Sequence, residues 1–139
     1  MNRHSELVFA FLAVAISVVC AELVLPRQCS YPDPNAPSNC TVTEVYIDPC
    51  KEAAEGKPCK VRRGVTSNMT IHYTPNFSAD TMVGRVFWAS QLTDIPFLGM
   101  SSEACSSTTC PIAAGQSNVY HAQIPILKKY PVVSKLMST

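Results

Sequence analysis

The stretch SNMTIHYTP, residues 67–75, switches between apolar and polar side chains along most of its length. A period of two is the geometry of a strand, so Met69, Ile71 and Tyr73 are expected on one face and Asn68, Thr70 and His72 on the other. Three further segments have strand-forming composition: CTVTEVYID (40–48), MVGRVFWAS (82–90) and NVYHAQIPI (118–126), the last with Tyr120, Ala122, Ile124 and Ile126 in one register. No window carries the three-and-four spacing of a helix, and eleven prolines argue against long ones. Turn chemistry falls between the strands, at RRG (62–64), TPNFSAD (74–80), LTDIPFLG (92–99) and AAGQSN (113–118). Short strands without intervening helices predict an all-β chain, built as an antiparallel sandwich or barrel.

Arg3 and His4 precede an uncharged apolar run, 7–19, that ends at Val19-Cys20-Ala21. The run is short of the roughly 20 residues that span a bilayer as a helix, and the small Ala21, with Val19 two before it, fits a peptidase site. Residues 1–21 are therefore expected to be a secretory signal and 22–139 a single domain. The cysteines that remain are Cys29, Cys40, Cys50, Cys59, Cys105 and Cys110. An even number in a small exported chain reads as disulfides. Short local loops are the simplest choice for Cys50 with Cys59 and Cys105 with Cys110, and the loop QCSYPDPNAPSNC (28–40) closes if Cys29 bonds Cys40. Neither local pair has the spacing or the histidine partners of a zinc site, so no metal or other cofactor is expected. Sequons at Asn39, Asn68 and Asn76 predict a glycosylated surface.

A net charge of +1 leaves no footprint for nucleic acid. His72 and His121 each fall on the polar face of an expected strand, where solvation is the ordinary role of an imidazole. No G-x-S-x-G, H-E-x-x-H or phosphate-binding glycine loop occurs, so catalysis is not expected. Lys57, Lys60, Arg62 and Arg63 bracket Cys59. They read as a solvated loop, with an approach to anionic membrane lipids as the alternative.

Taken in order, VYIDPCKEAAEGKPCKVRRG (45–64), NMTIHYTPN (68–76), DIPFLGMSSEACSSTTCPI (94–112) and IPILKKYP (124–131) resemble the ML lipid-recognition domain family. The likeness is to the branch of the Niemann-Pick type C-two sterol-binding protein, with its arthropod members and the mite group 2 allergens. It rests on the two cysteine pairs, the P-C before the first loop, the C-P-I after the second, and I-P-x-x-x-x-Y-P. The resemblance implies an immunoglobulin-like sandwich of two antiparallel sheets that opens between its layers to hold a lipid. It also implies a sterol or other apolar lipid as cargo, transient membrane contact, and a membrane-bound sterol transporter or a lipid-sensing receptor as partner. The setting would be extracellular or the lysosomal lumen.

Carried over by position, the pocket-entrance phenylalanine of the sterol binders matches Phe97, their branched residue after proline matches Ile126, and the tyrosine before proline matches Tyr130. Ile95, Pro125 and Pro131 flank these. Val61, Met69, Ile71 and Tyr73 fall where the family's strands send side chains inward. Trp88 stands where the sterol binders carry glycine, and a large ring there would reshape the cavity away from cholesterol itself. The family's domain continues past the Y-P pair and carries a cysteine that bonds the N-terminal one. The chain reads as truncated after VVSKLMST (132–139), which leaves Cys29 and Cys40 to each other. The expected function is a lipid carrier, with immune recognition of a microbial lipid or a non-functional truncated isoform as alternatives.

Overall fold

The structure is a computed structural model that describes residues 21–26, 39–88, 95–97 and 99–130, with the backbone alone for Trp88 and Ile95. The expected secretory signal before Ala21, Cys29 with its expected bond to Cys40, and everything from Pro131 onward lie outside the described residues.

One layer is a four-stranded antiparallel sheet. Strands β1 (Glu22–Val24), β2 (Cys40–Asp48), β3 (Val65–Pro75) and β6 (Asn118–Ile126) lie in the order β1-β2-β3-β6. Its register follows from the alternation in the sequence. Ile71 sits opposite Val45 on one side and Tyr120 on the other, Met69 opposite Ile47 and Ala122, and Val65 opposite Ile126. All these side chains share one face, which holds the buried Val45, Tyr73, Ala122 and Ile126. The other face carries Asn68, Thr70, His72, His121 and Gln123. Pro125 interrupts no pairing in this sheet. It has the parity of His121, whose N–H turns away from β3 to the Ser107 carbonyl at 2.8 Å, so the missing donor of Pro125 also falls outside the β3–β6 ladder.

The second layer is looser. Strands β4 (Phe87–Trp88) and β5 (Ile95–Pro96) form a two-stranded ladder, extended by single bridges between Val83 and Glu103 and between Ala79 and Ile112. The backbone bonds Phe97 N–H to Val86 O (2.8 Å), Gly84 N–H to Ser102 O (3.0 Å) and Ala104 N–H to Met82 O (3.1 Å) carry the pairing between them. Side chains join it to the sheet. Thr108 donates its hydroxyl proton to the Val119 carbonyl at 2.8 Å, which leaves Tyr73 as donor in the 3.1 Å contact between the two hydroxyls, with Met82 Sδ 3.6 Å from the tyrosine oxygen. The result is an all-β, immunoglobulin-like sandwich, in which the only helical pieces among the described residues are the 3-10 turns Lys51–Glu55 and Ala104–Ser106.

Each turn is pinned by a disulfide, Cys50–Cys59 and Cys105–Cys110, the two local pairings expected from spacing. The first ends at Gly56, whose φ of 64° is left-handed and whose N–H caps the Ala53 carbonyl at 2.9 Å. The second is capped by the Glu103 carboxylate, which accepts the Cys105 N–H at 3.4 Å.

Three elements differ from the sequence-based expectation. Within the described part of 82–90, which ends at Trp88, the ladder covers only Phe87–Trp88, and at Gly84 the chain passes so close to β6 that an added Cβ would lie 2.9 Å from the Tyr120 hydroxyl, which would have to shift. Ile95–Pro96, expected inside a turn, is a strand, kept short by a proline that has no N–H to donate. Strand β1 was not expected at all, being too brief for alternation to register.

Candidate functional site

Among the described residues, family-matched positions line two clefts of the sandwich. The first, of about 280 Å³, lies at the end of the inner face where β3 begins and β6 ends. Val61, Val65 and Ile126 supply its apolar wall, and the exposed Lys51, Lys60 and Arg62 line the remainder together with Glu52. It exists because the chain after Cys59 runs without a ladder partner until Val65, held across the end of the sheet by the Cys50–Cys59 bond. Ser67, a buried polar residue on the inner face, donates its hydroxyl to the Asp48 carbonyl at 3.3 Å and is thereby satisfied. The Glu52 carboxylate accepts the Lys60 N–H at 3.3 Å. Hydrogen bonds from its own backbone N–H and from that of Lys60, with the charges of Lys60 and Arg62, hold its pKa below the ordinary glutamate value.

The second cleft, of about 250 Å³, lies between the β4–β5 ladder and β6. Val86, Phe87, Pro96, Phe97, Met100 and Tyr120 form its apolar wall, and Gly84 leaves it open beneath the Tyr120 hydroxyl. Phe97 also meets Tyr130, with ring centroids 4.9 Å apart and planes tilted by 55°, a favourable aromatic geometry. Tyr130 is fixed by its backbone. Its N–H donates to the Leu127 carbonyl at 3.1 Å, and Arg63 donates from one guanidinium nitrogen to the carbonyls of Lys128 and Tyr130, both at 3.3 Å.

The structure thus brings Phe97 and Tyr130 together, and Val61 and Ile126 together, in two neighbourhoods rather than one. Met69 and Ile71 lie half-buried on the inner face and line neither cleft. Tyr73 is 5% exposed and its hydroxyl is bonded to Thr108, the position of a core residue. Strand alternation places Pro125 with His121 and Gln123 on the outer face, away from Ile126. Trp88 and Ile95 pair with each other through the backbone of β4 and β5, and their side chains lie outside the described residues. Sequence reasoning missed Lys51, Glu52 and Val65 in the first cleft and Val86, Phe87 and Met100 in the second as lining residues. Tyr120 was legible from its inward register. The sequon asparagines are all exposed: Asn68 on the outer face of β3, and Asn39 beside Asn76, whose N–H donates to the Asn39 carbonyl at 2.9 Å.

Comparison with known proteins places this geometry. Residues 25–138 match the sequence profile of the ML domain. The chain is 32% identical over 93 residues to the MD-2-related lipid-recognition protein of Manduca sexta, an alignment covering 66% of this chain and 58% of that protein. It is 30% identical over 96 residues to the ecdysteroid-regulated 16 kDa protein of Manduca sexta, covering 68% of this chain and 65% of that one. The NPC intracellular cholesterol transporter 2 of Bos taurus is 26% identical over 133 residues, or 94% of this chain and 81% of the bovine protein. The chain therefore spans less than two thirds of the length of the two Manduca proteins. With a profile match across most of its length, on a sandwich of two unequal layers pinned by two short disulfide loops, the chain belongs to the ML domain family.

Proposed function

We infer that this protein is a carrier that holds a sterol or related apolar lipid between its two layers and gives it up at a membrane. The observation that carries the reading is the pair of apolar-walled clefts on the inner face, one built on Ile126 and the other on Phe97 and Tyr120, in a member of the ML domain family. Relatives named for lipid recognition and for cholesterol transport support it. Ligand sites usually enclose about 300–1,000 Å³, so each cleft alone falls short of that range and a sterol-sized cargo needs the layers to part. A cargo of about 28 heavy atoms gaining roughly 0.3 kcal/mol per atom reaches about 8 kcal/mol, a micromolar dissociation constant, without an ion pair. Shape and burial are enough, and Trp88 in β4 favours a cargo other than cholesterol itself. The reading involves no catalysis and no cofactor. Two disulfides favour an extracellular or lumenal setting, where glycans at Asn39, Asn68 and Asn76 would be added. A membrane-bound sterol transporter is the acceptor this reading calls for.

Mass spectrometry of an organic extract of the purified protein, combined with displacement of a fluorescent sterol and a fluorescent fatty acid, tests the proposal. A co-purifying lipid and micromolar displacement are expected. An empty extract with no displacement of either probe would refute it.

A second reading, recognition of an anionic microbial lipid for a receptor, is favoured by Lys51, Lys60 and Arg62 along the first cleft, which suit a lipid phosphate. The double substitution Lys60→Gln and Arg62→Gln separates the two. It weakens a phosphorylated lipid and spares a neutral sterol if the second reading holds, and spares both if the first does.

A further inference from the structure

Seven of the chain's eleven lysines and arginines lie at one end of the sandwich: Lys51, Lys57, Lys60, Arg62, Arg63, Lys128 and Lys129. They come from two segments far apart in sequence that the fold draws together. The Cys50–Cys59 bond closes the loop that carries Lys51 and Lys57, and Lys60 follows it directly. Arg63 donates to the Lys128 and Tyr130 carbonyls, and the stem of Lys128 lies over Gly64, where an added Cβ would be 3.1 Å from Cε. Val65, next in the chain, pairs with Ile126 and completes the junction. All seven cationic side chains belong to exposed residues.

The same segments carry the acids Asp48, Glu52 and Glu55, an excess of four cations in a chain of net charge +1. The remainder of the chain is therefore acidic by three charges, and the molecule has a basic pole. Within the pole, Val61 and Val65 are 45% and 44% exposed at the mouth of the first cleft. Lys57 pairs with Glu55 at 2.5 Å on the surface, and the other cations remain in excess. A small apolar centre ringed by exposed cations matches a surface with acidic headgroups outside and hydrocarbon beneath. An acidic protein surface would use the cations and leave the two valines without a role.

We propose that this pole is a docking surface for an anionic lipid bilayer, which sets the mouth of the first cleft against the membrane. The proposal deepens the carrier reading but rests on it only for the purpose of docking, because adhesion to the bilayer requires no cargo.

The test is co-sedimentation of the full purified chain with vesicles of phosphatidylcholine alone or with about a third phosphatidylserine, at low and physiological salt. Binding is expected to the anionic vesicles only and to fall as salt rises, because the screening length shrinks to about 8 Å near 0.15 M. Each basic residue near such a surface contributes on the order of fivefold in affinity, so Lys57→Gln, Lys128→Gln and Lys129→Gln together lower partitioning about a hundredfold. None of these three lines a cleft, so uptake of the fluorescent sterol by the triple variant is unchanged. Arg85→Gln, a cation outside the pole, serves as control and loses fivefold or less. A second variant, Val61→Ser with Val65→Ser, weakens vesicle binding while leaving its salt dependence in place. Equal binding to neutral vesicles, unchanged binding by the triple variant, an Arg85→Gln loss as large as the triple variant's, or capture by an acidic protein column without vesicle binding would each overturn the proposal. Loss of sterol uptake by the unaltered protein, with vesicle binding intact, would count against the carrier reading alone.

Discussion

The two layers of this sandwich are held by different means. In the four-stranded sheet, β3 and β6 keep an unbroken register from Val65 opposite Ile126 to Tyr73 opposite Asn118. Among the described residues, the facing layer has one two-residue ladder and two isolated bridges, and it reaches the sheet through specific bonds at Tyr73, Thr108, Val119 and His121. A continuous ladder opens as a unit and at high free energy, whereas a layer joined by scattered bonds separates in parts. In the carrier reading proposed above, the regular sheet is the scaffold and the irregular layer is the side on which a cargo enters.

Substitutions that act on the two layers separately break or sharpen this contrast. Tyr73→Ala should have the largest effect. It removes a buried ring and the hydroxyl that meets Thr108, and is expected to cost about 3–5 kcal/mol by denaturant unfolding. Replacing Cys105 and Cys110 by alanine releases a short loop in the second layer alone and is expected to cost about 2 kcal/mol, with amide exchange rising over 99–112 before β3 or β6. Gly84→Ala sets a methyl 2.9 Å from the Tyr120 hydroxyl and should cost about 1–2 kcal/mol while narrowing the second cleft, read as weaker sterol uptake beside the unfolding curve. Tyr73→Phe leaves the Thr108 hydroxyl bonded to Val119 and removes one buried hydrogen bond, about 1 kcal/mol.

The smallest effect is that of Glu52. Its folded pKa lies below the unfolded value, so its contribution is fully present above the ordinary glutamate pKa and is lost as pH falls through the lowered one. The thermal midpoint of the Glu52→Gln variant should therefore lie slightly below that of the unaltered chain at pH 7 and converge with it in acid.

The same contrast explains what was legible in the sequence. Strands β2 and β6 occupy the spans their composition predicted and β3 begins only two residues earlier, because each lies in a sheet with one buried and one open face, which writes a period of two into the chain. The second layer has no such uniform environment. Gly84 serves a close approach to Tyr120, and Pro96 has no N–H for a ladder, so over the described residues 82–88 the strand is shorter than its composition predicts, while the proline and glycine of 92–99 concealed β5. The local disulfides were legible because both loops are short. The cluster of cations was visible too, but the task of Arg63 was not. Its partners are carbonyls 65 and 67 residues away, set by the fold and not by any side chain near Arg63. For the same reason Phe97 and Ile126, both read as wall residues, fall on different clefts: their separation depends on how the second layer crosses β6, which no local pattern encodes.

Peptide-resolved hydrogen exchange of the protein, empty and loaded with a sterol or fatty acid it displaces, tests the central claim most directly. Added protection is expected over 82–88 and 95–104 and at 61–65, where the clefts lie, with β2 and the middle of β3 nearly unchanged. Protection confined to the outer face around Asn68, His72 and His121, or no change with lipid demonstrably bound, would contradict a cargo held between the two layers.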